Sequence, residues 1–335
     1  MTVIDVHSHI YPPSYIEMLR GRREIPRIDE RDGSLYFVIF PEEEKTGGRL
    51  IRPAMSSIDE KLAFMAAGGI DQTIVSLGNP WLDPVRGPES VTWARRINAE
   101  LAGLEGSTGG KIRAMGVLPN AAPQDVAEIA TELAATRGLY GAITGCAIGG
   151  LTFDDPALEP VWAALEKNAL PLLVHPHYAA AVDLLGGFGT ALPLGIGFPM
   201  ETSIAVARLV FAGVLHRHPD LRILVAHSGG VLPFLAARLD VTWRGDAIAQ
   251  QRLPQPPSTY LAKLWLDTVS YHARAMHAAS DLVSPRQLVF GTDHPFFKEE
   301  PADIVAGVRG AFSAGDFAAL ADANAVRLFG LGRTR

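Results

Sequence analysis

The stretch Thr2-Val3-Ile4-Asp5-Val6-His7-Ser8-His9 decides the architecture. Its β-branched start, Thr2–Val6, reads as a buried strand, and two histidines rather than glycines follow it. An open doubly wound sheet would more often place a Gly-rich phosphate turn after its first strand, and Asp5-Val6-His7-Ser8-His9 is not one. Residues i and i+2 of a strand point to one side, so His7 and His9 face the same way. A strand that delivers two imidazoles at its C-terminal end suits a closed barrel, where active sites gather at that end.

Seven further short apolar runs repeat the pattern outward from this stretch: Gln72–Leu77, Ile112–Leu118, Tyr140–Thr144, Pro171–Val174, Arg222–Ala226, Leu264–Asp267 and Gln287–Phe290. Helix-period segments lie between the strands, at Ile58–Ala67, Ser90–Leu101, Gln124–Thr136, Ala157–Lys167, Ser203–Leu215, Val231–Asp240 and Arg274–Ser280. Continuous apolar strands that alternate with helices imply a parallel sheet covered by helices. Eight such repeats in 335 residues predict one (β/α)8 TIM barrel, an α/β fold, over residues 1–335.

Three long stretches break the rhythm. Residues 11–55 read as a lid-like insertion after the first strand, built on a small β-hairpin that includes Leu35–Phe40, because so long a structureless loop is uncommon in a compact domain. Ala179–Met200, rich in Gly and Pro, follows the fifth strand and is expected over the barrel mouth. Gly245–Ser258, polar and Pro-rich, reads as a surface connection.

Composition narrows the class. With 48% hydrophobic and 20% charged residues the chain has material for a large core, which argues against disorder. A net charge of −6 and a pI near 5.9 argue against nucleic acid, whose phosphates need a basic face. The longest apolar runs, such as Leu170–Val174, read as far too short to span a bilayer, and Asp5 and His7 stand where a signal peptide would have a basic start and an apolar core. A soluble, cytoplasmic protein with no membrane partner is expected. The single cysteine, Cys146, excludes a disulfide framework and thiolate zinc clusters. In Gly145-Cys146-Ala147 it reads as buried filler.

Chemistry-bearing residues sit where the strands end. His7 and His9 end the first strand, His175 the fifth, His227 the sixth and Asp293 the eighth. Each alone has a bland reading: a chance His-x-His, a packed core histidine at His175, a helix cap at Asp293 ahead of Pro295. Together they place four ligand-type groups at the ends of three strands that converge on one face, which favours one divalent metal ion held by His7, His9, His175 and Asp293. Imidazole nitrogens with one carboxylate suit zinc first, and manganese, iron or cobalt as well, with room for a bound water. Such a water ionises near neutral pH.

His227 lies in Val225-Ala226-His227-Ser228-Gly229-Gly230, where the glycines permit a tight turn. It is expected to act as general base or as electrostatic partner to the metal-bound water, and His227 and Asp293 are the candidate catalytic residues. His177, two residues past His175, shares its strand parity, and His294 and Phe296 adjoin Asp293, so these three are candidate substrate-binding residues. His216, His218, His272 and His277 fall in helical or loop contexts and read as surface residues.

The ordered set of motifs resembles the amidohydrolase-related (amidohydrolase 2) family, above all its α-amino-β-carboxymuconate-ε-semialdehyde decarboxylase branch. The set runs from Ile4-Asp5-Val6-His7-Ser8-His9-Ile10 through Leu173-Val174-His175-Pro176, Pro199-Met200-Glu201-Thr202, Ala226-His227-Ser228-Gly229-Gly230 and Pro233-Phe234 to Gly291-Thr292-Asp293-His294-Pro295-Phe296. The resemblance implies nonoxidative C–C cleavage that releases CO₂ without pyridoxal, thiamine or flavin, on a small unsaturated or aromatic carboxylic acid. It implies that His7, His9, His175 and Asp293 hold the metal and that His227 activates the metal-bound water. It also implies that Arg49 and Arg238 bind substrate carboxylates, the second from the partner subunit of a homodimer; guanidinium forks match carboxylates geometrically. Two-metal members usually carry a bridging lysine after the fourth strand, and Ala142-Ile143-Thr144-Gly145 has none, so one ion is expected. Pro193-Leu194 stands where that branch places a tryptophan after the proline, which points to a different pocket wall. The alternative chemistry is hydrolysis or hydration of a related carboxylate, such as a lactone or oxalo-dienoate.

Overall fold

In the computed structural model, which describes residues 1–296 and 298–332, the first strand β1 spans Ile4–Ile10. It is longer than the expected Thr2–Val6 because His7, Ser8 and His9 are buried strand residues. Their polarity marks a site and not the strand's end.

The insertion follows. Helix α1 (Pro13–Arg20) leads to an antiparallel three-stranded sheet of β2 (Arg27–Arg31), β3 (Ser34–Val38) and β4 (Arg49–Leu50), with α2 (Pro41–Thr46) between the last two strands. A hairpin was expected, and a third strand and two helices are added to it. The turn between β2 and β3 is Asp32-Gly33, both at positive φ (50° and 74°), the sequence and geometry that a two-residue hairpin turn requires.

Helix α3 (Ile58–Gly68) then opens the repeating part. Strand β5 (Gln72–Leu77) is followed by α4 (Gly87–Ser107), β6 (Ile112–Val117) by α5 (Pro123–Ala135), β7 (Leu139–Thr144) by α6 (Glu159–Lys167) and β8 (Leu172–Val174) by α7 (Phe198–Phe211) and the short α8 (Val214–Arg217). Next come β9 (Ile223–Val225), α9 (Leu232–Arg244), α10 (Ala247–Arg252), α11 (Pro257–Leu261), β10 (Trp265–Asp267), α12 (Ala273–Val283) and β11 (Leu288–Val289). The chain ends in α13 (Pro301–Ala311), α14 (Ala314–Ala318) and α15 (Asn324–Phe329). The polar Gly245–Ser258 segment therefore carries α10 and the start of α11 rather than a plain loop.

The eight strands pair in parallel in the order β1-β5-β6-β7-β8-β9-β10-β11. Where the ends of this sheet meet, Val6 N–H donates to Phe290 O at 2.9 Å, Asp293 N–H to His7 O at 2.7 Å and His9 N–H to His294 O at 2.8 Å. The barrel is thus closed at its mouth by backbone bonds that include His7, His9 and Asp293, three of the expected metal ligands. Ile74, Val75, Leu173, Val174, Leu224, Val225, Leu288 and Val289 are all completely buried, as expected for strands covered on both faces. Each such aliphatic side chain contributes about 1.5–3 kcal/mol on burial.

The run Pro193–Phe211 is long and apolar enough to cross a membrane, contrary to the reading of the shorter runs. Its α7 portion buries Phe198, Ala205, Val206, Leu209 and Val210 in the hydrophobic core.

Candidate active site

Strand ends deliver the four expected ligands to one place. One ligand atom from each of His7, His9, His175 and Asp293 lies within 4.8 Å of the others, and all four residues are buried. His7 Nε2 and His9 Nε2 are 3.1 Å apart, and Asp293 Oδ1 is 3.4 Å and 3.3 Å from them.

The outer nitrogens explain why the inner ones converge. His7 Nδ1–H donates to Asp267 Oδ2 at 2.6 Å, His9 Nδ1–H to Leu77 O at 3.2 Å and His175 Nδ1–H to Pro176 O at 2.9 Å. Each ring is thereby set to present its Nε2 lone pair inward, as metal-ligating histidines require. His175 Nε2 is buried with no hydrogen-bond partner, a cost that a bound cation removes. The donor set of three neutral nitrogens and one carboxylate fits a divalent cation with an open position.

The two carboxylates beside His7 favour a proton on its ring, which a bound dication would displace. Burial alone would lower His7, but the charges of Asp267 and Asp293 raise it to about 10. Burial brings His9 down to about 4 and drives His175 well below its usual range, helped by its imidazole neighbours. Burial would raise Asp293, yet His7, His227 and His9 hold it well below the ordinary carboxylate range. The two carboxylates around His7 supply the negative charge that attracts a dication.

His227 stands at the edge of this cluster, its Nε2 3.5 Å from Asp293 Oδ2. Its backbone is left-handed (φ 56°), as is that of Asp293 (φ 58°), and such conformations persist only where surroundings hold them. Asp267 does part of this, accepting the N–H groups of His227 (3.0 Å) and Ser228 (2.8 Å). Gly230 (φ 64°) does the rest: a Cβ there would lie 2.4 Å from Pro199 O. Asp267 therefore orients a ligand and the turn of His227 with one carboxylate. It is the last residue of β10, and its place at a strand end is the sequence signal that could identify it.

The cluster opens into a cavity of about 1010 Å³. Its walls come from the insertion (Phe40, Arg49, Leu50, Arg52, Met55), from the segment after β8 (Ala191, Leu194, Phe198) and from Tyr271, Phe296 and Lys298. Arg49 lines it and is ion-paired to Glu43; Arg52 lines it and donates to Pro295 O. Phe296 lies with its ring 5.2 Å from that of His9. Trp81, absent from the sequence reading, packs at 5.2 Å from His175.

Two expected pocket residues lie elsewhere. His177 turns into a separate, smaller cavity, bonded to Asp83 at 2.6 Å and stacked on Tyr178, because β8 ends at Val174 and strand parity does not extend past Pro176. His294 faces away from the cavity, against Lys61 and Phe64, one residue beyond the left-handed Asp293 that turns the chain. His218, expected at the surface, is buried between Glu159 and Glu166 at 2.8 Å each. Arg238 is exposed on α9 and does not line this chain's cavity. Cys146 is free, and burial pushes its thiol well up.

The amidohydrolase family profile matches residues 4–331. The chain is 24% identical over 345 residues to 2-amino-3-carboxymuconate-6-semialdehyde decarboxylase of Dictyostelium discoideum, covering 98% of this chain and 91% of the relative. Among solved structures, IDCase of Metarhizium anisopliae in apo form is 34% identical with a TM-score of 0.93, covering 99% of this chain and 98% of that one. A dihydroxybenzoic acid decarboxylase of Polaromonas sp. JS666, with bound manganese and 2-nitroresorcinol, is 20% identical with a TM-score of 0.83, covering 99% and 98%.

Proposed function

The chain belongs to the amidohydrolase family, and from that premise we propose that it is a metal-dependent carboxy-lyase releasing CO₂ nonoxidatively from a small unsaturated or aromatic carboxylic acid. The observation that carries this reading is the buried cluster of three imidazoles and one carboxylate opening into a cavity with cationic and flat apolar walls. Zinc suits the nitrogen-rich set, and manganese is the ion of the Polaromonas relative. A divalent cation bound by His7, His9, His175 and Asp293 supplies Lewis-acid charge that eases removal of a proton from water and steadies negative charge on the substrate.

The chain's own groups do the rest. Arg49, Arg52 and Lys298 line the cavity as cations and bind the carboxylate end. Phe296 and Phe40 offer rings to a planar substrate. When the C–C bond breaks, its electron pair stays on the substrate carbon, CO₂ leaves and that carbon must gain a proton. His227 takes this proton from water at Nε2 as base and delivers it to the carbon as acid, so that carboxylate and water become the C–H product, CO₂ and hydroxide. The insertion acts as a lid over the mouth. The single free Cys146 is in keeping with a cytoplasmic location.

The test is CO₂ release across a panel of muconate, resorcylate, vanillate and pyrone carboxylic acids. Stoichiometric CO₂ with at least one of them is expected. Turnover of a substrate without CO₂ would replace this reading by hydrolysis or hydration.

Assembly as a homodimer is part of the proposal. Phe234 and Arg238 share one face of α9, and Phe234 (86% exposed) and Val241 (59%) make that face apolar. Arg238 would then serve the partner's cavity. Mixing inactive Arg238→Ala chains with inactive His227→Ala chains is expected to restore roughly a quarter of wild-type sites, because about half the dimers are mixed and each has one intact site. No recovery after demonstrated subunit exchange would remove Arg238 from the site.

A further inference from the structure

Helix α3 carries a lysine that is 1% exposed, Lys61. Its Nζ donates to Ser8 Oγ at 2.6 Å, to His294 Nδ1 at 2.6 Å and to His294 O at 3.3 Å. Ser8 lies between the ligands His7 and His9, and His294 directly follows the ligand Asp293. The amino group thus reaches both chain segments that hold the metal ligands. Ser8 Oγ–H donates in turn to His294 O at 3.2 Å, and Phe64, one turn along α3, stacks on the His294 ring at 3.8 Å. The buried carboxylate of Asp5 provides negative charge nearby and is itself held by Thr292 Oγ1–H at 2.6 Å.

A methionine of the same length would fill this space without burying a charge, so packing alone does not call for lysine. Directed bonds do. The joint between β1 and the turn after β11 has only a few backbone hydrogen bonds, and Asp293 within it is left-handed. A strained backbone keeps its shape only where neighbours over-determine it. We propose that Lys61 is a positioning residue for the metal centre, setting the carboxylate of Asp293 against the imidazoles of His7 and His9 by tying Ser8 to His294 from outside the barrel.

This inference rests on the metal reading above, so the experiment begins with the wild-type chain. Dissociation constants for Zn²⁺ and Mn²⁺ are measured by chelator competition on wild type, Lys61→Met and Ser8→Ala, with circular dichroism and thermal melts on the same samples. Wild type is expected to bind one ion tightly; if it binds none, the metal reading itself falls. Lys61→Met is expected to stay folded, melt lower and bind the ions about 10–100-fold more weakly, the usual cost of losing an outer-shell partner. Ser8→Ala keeps the cation, removes one acceptor, and is expected to weaken binding several-fold. The electron paramagnetic resonance spectrum of bound Mn²⁺ should broaden in both variants as the ligand set loosens. A lysine with only a structural role would lower the melting temperature and leave the dissociation constants and the spectrum at wild-type values, and that result overturns the proposal. Should Lys61→Met not fold, Ser8→Ala decides: unchanged metal affinity overturns the proposal and several-fold weaker binding supports it.

Discussion

Replacing His175 by alanine is expected to remove the metal and the activity together. His175 is the one ligand whose inward nitrogen is buried without any hydrogen-bond partner, and its ring is held by a bond to Pro176 O on the other side. Among the described residues no further group joins the four whose ligand atoms lie within 4.8 Å. Loss of an outer-shell partner costs about 10–100-fold in metal affinity, and loss of a ligand itself should exceed that. Metal content after purification in supplemented medium should fall from one ion per chain to near zero, and turnover should fall with it. A variant that still holds one ion at wild-type affinity would show that His175 is a packed core histidine, and a wild-type stoichiometry of two would show that the ligand set is incomplete.

His227→Ala is expected to separate the two properties that His175→Ala loses jointly. His227 lies beside the cluster, 3.5 Å from Asp293 Oδ2, and is outside the set of four ligand atoms. Alanine carries the same Cβ into the left-handed conformation, and Asp267 still accepts the backbone N–H there, so the turn should survive. Turnover should fall by about 10²–10⁴, the usual contribution of a proton-transferring side chain. Metal content and melting temperature should stay close to wild type. Parallel loss of metal and turnover would make His227 a ligand and leave the proton-transfer role without a residue.

Both predictions concern residues that the sequence alone marks out. His7, His9, His175, His227 and Asp293 each follow or end a short apolar run, and a parallel barrel puts all such ends on one face. The alternation of strands and helices suffices for this placement, and it is legible because Gln72–Leu77 and the other strands are apolar runs bounded by polar turns. Strand parity no longer holds where the backbone leaves the regular conformation. His177 follows Pro176, beyond the last residue of β8, and His294 follows the left-handed Asp293, so in neither case did counting along the strand say where the ring points.

The sequence by itself determined the barrel, the βα order and the identity of the residues at the strand ends, because periodicity and turn chemistry are properties of near neighbours along the chain. Only the tertiary structure decided how those residues are held and what encloses them. Asp267 bonds to His7 across 260 positions, and Lys61 to His294 across 233. The walls of the cavity come from the insertion and from the segment after β8, whose places over the mouth depend on packing. Such pairings are set by which surfaces meet when the sheet closes, and no local pattern encodes the partner of a buried polar group at that range.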